Sequence, residues 1–116
     1  MADAMGARVE LGTLYACYGG LLTQKQRQAV RLYAGEDQSL SEIAEQMGVS
    51  RQNVHELVTR AERKLRRCEA ALHLAEQTLS VQAGLEEAAR MLDGGDTAKC
   101  REILGRLTEE LDREEI

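Results

Sequence analysis

The sequence predicts an all-α protein: a helix-turn-helix domain with a long second helix, followed by a C-terminal helical hairpin. Three observations carry this expectation. The chain lacks proline, tryptophan and phenylalanine and has only three tyrosines, while leucine, alanine, glutamate and arginine, all good helix formers, are abundant. Apolar residues recur at spacings of three and four, the period of a helix face. Helix-start signatures stand at Thr23-x-x-Gln26 and Ser39-x-x-Glu42, and glycine punctuates the chain at Gly48 and Gly94-Gly95. With 116 residues, 43% of them hydrophobic, the chain can bury a real core. The expected division is a helix-turn-helix domain over residues 1–67 and an acidic helical extension over residues 68–116.

Residues 1–7 carry no pattern and are expected to fray. Leu11, Leu14, Tyr15 and Tyr18 then share one helix face, and Gly19-Gly20 stops that helix. The tyrosines read as core residues with a hydroxyl at the rim. Thr23 opens a second helix through a capping box with Gln26. Val30 and Leu32 or Tyr33 turn inward, and the helix ends near Ala34-Gly35, before the polar loop Glu36-Asp37-Gln38.

The helix-turn-helix occupies residues 40–57. Ser39 and Glu42 form a capping box, Ile43, Ala44 and Met47 share a face, and Gly48 ends the helix at positive φ, which glycine adopts without steric cost. Val49 plugs the corner. Ser50 caps a second helix that buries Val54, Leu57, Val58, Ala61 and Leu65. Ala44 faces the crossing, where a larger side chain would push the helices apart. Outside lie Arg51, Gln52, Asn53, His55, Glu56, Thr59 and Arg60. The start of such a helix enters the major groove, where Arg pairs with guanine and Gln or Asn with adenine. Arg51, Gln52, Asn53 and His55 are therefore the candidate base contacts. Lys25 and Arg27, with Arg31 beside them, and Arg60, Arg63 and Lys64 are the candidate phosphate contacts.

Ala61, Leu65, Cys68, Leu72 and Ala75 continue as a heptad stripe, so the second helix is expected to run to about Gln77. A further segment over residues 78–92 turns Val81, Leu85, Ala88 and Leu92 inward. The turn Asp93-Gly94-Gly95-Asp96 follows, with Asp96 capping a last helix whose stripe is Cys100, Ile103, Leu104, Leu107 and Leu111. Two such helices make a hairpin that can fold back on its own long helix or pair with the same hairpin of a second copy; the homodimer is the favoured expectation.

Charge is unevenly spread. The net charge is −5. Residues 50–67 hold six basic residues against two acidic, a net of +4, and residues 68–116 hold five basic against twelve acidic, a net of −7. The basic helix can meet phosphate while the acidic tail repels it, so binding should be weak and salt-sensitive. Cys17, Cys68 and Cys100 are odd in number and widely separated, which argues for buried or half-buried thiols rather than a disulfide framework or metal knuckle. No apolar run approaches the roughly 20 residues that cross a membrane, and the start Met1-Ala2-Asp3-Ala4-Met5 lacks a secretory pattern, so a cytoplasmic protein without membrane insertion is expected. His55 and His73 stand in no metal-ligand or nucleophile motif. Neither an enzyme nor a cofactor is expected.

Leu21-Leu22-Thr23-Gln24-Lys25-Gln26-Arg27, Ser39-Leu40-Ser41-Glu42-Ile43-Ala44 and Gly48-Val49-Ser50-Arg51-Gln52-Asn53-Val54 resemble the helix-turn-helix of sigma-factor region 4. With Leu14-Tyr15-Ala16-Cys17-Tyr18-Gly19 ahead of it, the stretch over residues 11–72 resembles the YlxM family of small bacterial proteins. Ala16-Cys17 stand where that family more often has an acidic and an aromatic residue. The resemblance implies DNA binding and, through gene neighbourhood, a part in the signal recognition particle pathway. Three functions follow: a DNA-binding regulator; a factor acting on components of the signal recognition particle, holding its RNA through phosphates with Arg60, Arg63, Lys64, Arg66 and Arg67; or a protein-interaction scaffold working through the hairpin.

Overall fold

In the computed structural model, which describes residues 4–113, six α-helices follow one another and no strand occurs among the described residues. They are α1 (Ala4–Tyr18), α2 (Gln24–Val30), α3 (Leu40–Met47), α4 (Arg51–Leu72), α5 (Leu74–Asp93) and α6 (Thr97–Arg113). The chain divides into two compact units, one ending at Ala75 and one beginning at Glu76. The break falls there, rather than after Arg67, because α4 continues to Leu72 and Ala75 still belongs to the first core.

Helix α4 is the spine of the first unit, with α1, α2 and α3 packed on it. Its inward residues Ala61 and Leu65 meet Leu11, Leu14 and Tyr18 of α1, and Leu22 and Val30 around α2, in one cluster. Val54 meets Leu32, Ile43 and Ala44 in a second, and Tyr33 and Val58 touch both. Ile43, Leu65, Val30 and Val54 are the largest side chains sealed completely from solvent. Helix α1 begins earlier than expected: Ala4 to Ala7 are helical rather than frayed, and Met1 to Asp3 lie outside the described residues. Past Val30 the chain winds through a π turn, Arg31–Gly35, in which the amide of Glu36 donates to the carbonyl of Arg31. The loop after it is held by Arg8, whose guanidinium pairs with Asp37 at 2.6 Å, donates to the carbonyl of Tyr33 and stacks on the Tyr33 ring.

Both capping boxes form. Thr23 Oγ1 accepts from the amide of Gln26 and Gln26 Oε1 accepts from that of Thr23; Ser39 and Glu42 do the same at 3.1 Å in each direction. Accepting the Ser39 amide and hydroxyl holds the Glu42 carboxyl below the ordinary glutamate range. Because its folded pKa lies below its unfolded one, the cap contributes fully above the ordinary range and is lost as pH falls through the lower folded value. An NMR titration should therefore show the Ser39 amide moving with a midpoint below that of a free glutamate; a midpoint at the free value would contradict the cap.

At the end of α3, Gly48 takes φ 70°, and the amides of Gly48 and Val49 return to the carbonyls of Glu45 and Ala44. This Schellman closure tucks Val49 under the turn. Ser50 Oγ then accepts from the amide of Asn53 and starts α4.

Helix α4 stops at Leu72, one turn short of the expected Gln77, and the heptad reading fails there: Leu72 is exposed. His73 takes a left-handed conformation, φ 53°. The amide of Leu74 donates to the Tyr18 hydroxyl, and the Glu69 carboxylate accepts from both that hydroxyl (2.6 Å) and the amide of Ala75. Two side chains from other helices thus satisfy amides that a continuous helix would have satisfied itself.

In the second unit, Met91 and Leu92 carbonyls take the amides of Asp96 and Gly95, Gly95 sits at φ 84°, and Asp96 caps α6 by accepting from the amide of Lys99. The expected stripes are corrected. Leu85, Leu92, Leu104 and Leu111 are exposed, while Gly84, Ala88, Ile103 and Leu107 are buried and Val81, Met91 and Cys100 are half-buried. The cause is close approach: a Cβ on Gly84 would lie 2.6 Å from Leu107 Cδ2, so the helices meet along Gly84 and Ala88, turned from the leucines. The three cysteines are free and half-buried. No helix among the described residues is long and apolar enough to cross a membrane.

Candidate nucleic-acid interface

The first turns of α4 project from the unit because Val54, sealed in the core, anchors them on one side only. Arg51, Gln52, Asn53, His55 and Glu56 are all exposed, and the Ser50 cap fixes their backbone. A rigid helix start carrying an exposed guanidinium, two carboxamides and an imidazole can offer paired donors and acceptors to base edges. Of the expected base contacts, all four are brought to one helix end.

The phosphate candidates are more divided. Helical spacing aligns Asn53, Arg60 and Lys64 along one stripe and Gln52, Glu56 and Arg63 along another. Arg60 and Arg63 are exposed and Lys64 is half-buried. His55 stands on a third stripe with Thr59 and Glu62, lining a hollow with Tyr33 and Leu40. Arg66 reaches Glu62 and, from α1, Glu10 at 3.5 Å, whereas Arg60 and Arg63 have no ion-pair partner among the described residues. On α2, Lys25 and Arg27 are both exposed, but two residues on a helix diverge by about 200°, so they serve different surfaces. Arg27 turns to a groove that Arg31 and Tyr15 also line.

Sequence reasoning missed the Arg8 clamp and the contribution of Tyr15, Gln24 and Gln28 to that groove. One signal was available for the groove: between Glu10 and Glu36 no acidic residue occurs, while Lys25, Arg27 and Arg31 do.

A capped helix, a tight Schellman turn and a second helix presenting its polar start define a helix-turn-helix protein. Residues 5–93 match the family model described as "Putative helix-turn-helix protein, YlxM / p13 like", and the chain belongs to that family, UPF0122. A UPF0122 protein of Desulforamulus reducens is 42% identical over 87 residues, covering 75% of this chain and 74% of that protein. One from Symbiobacterium thermophilum is 39% identical over 100 residues, covering 86% and 94%, and one from Clostridium kluyveri is 34% identical over 103 residues, covering 89% and 93%.

Proposed function

We propose that this protein is a non-catalytic, DNA-binding regulator that reads a short duplex site with the start of α4. The observation that carries the reading is the exposed set Arg51, Gln52, Asn53 and His55 on a helix start held rigid by the Ser50 cap and by Val54 in the core. In this reading Arg51 binds guanine, Gln52 and Asn53 read adenine, and His55 contacts a neighbouring base. Arg60, Arg63 and Lys64 hold the phosphates beyond, with Arg27 reaching backbone from the supporting helix, while Lys25 faces away from it. Glu56 and the acidic C-terminal half keep general affinity low, so binding falls steeply with salt.

The second unit completes the reading as a dimerisation element. In an antiparallel helix pair, the residue that follows an inward residue lies on the same side on both helices. Leu85 follows Gly84 and Leu104 follows Ile103, which sets Leu85, Leu92, Leu104 and Leu111 along one side of the hairpin. A second copy covering that side makes a four-helix arrangement and gives the two-fold symmetry that pairs two half-sites. Sedimentation of a monomer at micromolar concentration would remove the dimer.

The decisive experiment crosslinks the protein in its own cells and sequences the recovered DNA and RNA beside an Arg51→Ala/Gln52→Ala variant. Discrete DNA sites lost in the variant are expected, with about 1–3 kcal/mol lost per base contact when binding is measured on those sites. Equal recovery of the same sites by the variant overturns the base-reading role. Enrichment of signal recognition particle RNA in place of DNA would put the activity in the targeting pathway, with Arg60, Arg63 and Lys64 as its contacts.

A further inference from the structure

We propose that the groove between α1 and α2, lined by Tyr15, Gln24, Arg27, Gln28 and Arg31, is a binding site for a phosphate group. The groove is open and has a volume of about 430 Å³. Every polar side chain on it can donate a hydrogen bond, and no carboxylate among the described residues lines it. Arg27 and Arg31 stand one turn apart, where like charges repel. Among the described residues neither guanidinium has an ion-pair or hydrogen-bond partner, in a chain with 20 acidic residues. Arg8, Arg66 and Arg106 each find a carboxylate. The repulsion between Arg27 and Arg31 is thus left for an outside anion to relieve.

The geometry suits a tetrahedral oxyanion. Two guanidinium forks can each take a pair of phosphate oxygens, and the carboxamides of Gln24 and Gln28 add donors along the same helix face. Across from them, the Tyr15 ring packs against the core and against Gly19, where a Cβ would lie 3.0 Å from two ring atoms. Its hydroxyl has no partner among the described residues. Arg31 opens the π turn, a helix irregularity that recurs at functional sites. The site does not depend on what α4 reads, since only Arg27 is shared between the two. The phosphate belongs either to a free compound, such as a nucleotide, or to a nucleic-acid backbone.

The test is an NMR titration of the isotope-labelled full chain with inorganic phosphate, with adenosine monophosphate and with a short DNA duplex, each against chloride at equal ionic strength. Saturable shifts are expected at the amides of residues 24–31 and at the Arg27 and Arg31 side chains, weakened about tenfold or more in R27Q/R31Q because both forks are gone. Saturation by phosphate or the nucleotide assigns a free compound, and saturation by the duplex alone assigns the backbone; either supports the site. Shifts no different from those with chloride, or unchanged affinity in R27Q/R31Q, overturn it. A groove silent to phosphate, nucleotide and duplex alike while the duplex moves Arg51 to Glu56 overturns the groove and spares the α4 reading, and a groove that responds while the duplex leaves Arg51 to Glu56 unmoved does the opposite.

Discussion

Truncating Leu65 to alanine is expected to lower the stability of the first unit by about 2–5 kcal/mol, read from the shift of its urea unfolding midpoint. Leu65 has no solvent exposure and stands where α4 crosses the cluster formed by Leu11, Leu14, Leu22 and Val30. Helices from three parts of the chain line that space, so they cannot all close on the gap at once, and the cavity cost adds to the lost transfer energy. Leu65→Met, which keeps the volume, should cost less than about 1.5 kcal/mol. Equal losses for the two would mean that the site is not packed as described. Because the same residue seats α4, Leu65→Ala should also weaken the proposed DNA binding, although it removes none of the proposed base contacts.

Replacing Glu69 by alanine is expected to cost about 2–3 kcal/mol, since two polar groups lose their acceptor at once. These are the Tyr18 hydroxyl and the amide of Ala75. Burial pushes the Tyr18 phenol up, and its hydrogen bond to Glu69 adds to the shift, so it stays protonated and donating at neutral pH. Tyr18→Phe keeps the ring in the core and removes only the hydroxyl that accepts from Leu74 and donates to Glu69. It should cost less than Glu69→Ala and raise hydrogen exchange at Leu74 first. Exchange at Leu74 and Ala75 that stays as slow as in the unchanged chain after Glu69→Ala would show that other groups hold the start of α5.

Local signals were legible where the physics is local. Thr23 with Gln26, Ser39 with Glu42, Gly48 and Ser50 each satisfy or redirect backbone groups within a few residues, and each occurs as expected. Val54, Ala61 and Leu65 follow the same logic, because one face of α4 is buried along its first four turns. The exposed set Arg51, Gln52, Asn53 and His55 was legible as the complement of that face.

The heptad stripe through Leu72 misled, because spacing cannot register a partner distant in the chain. Continuing α4 to Gln77 was consistent with every local preference, yet Tyr18 reaches Leu74 from α1 and with Glu69 takes over the amides that begin α5. The leucines of the hairpin misled in another way. Leu85 and Leu92 fit a helical stripe as well as Gly84, Ala88 and Met91 do, and hydrophobicity alone prefers the leucines. The choice is made by how near two helices can come, and Gly84 admits Leu107.

The sequence by itself determined that this chain is all-helical, where α3 and the start of α4 are capped and turned, and which polar residues that start presents. Those follow from backbone hydrogen bonding and from one buried face, both settled over short stretches of chain. Only the tertiary structure decided where α4 ends, which face of the hairpin is buried, that Arg66 pairs with Glu10 and that Arg27 and Arg31 share a groove with Tyr15. Those depend on contacts between residues distant in sequence, whose pairing arises only once the helices pack.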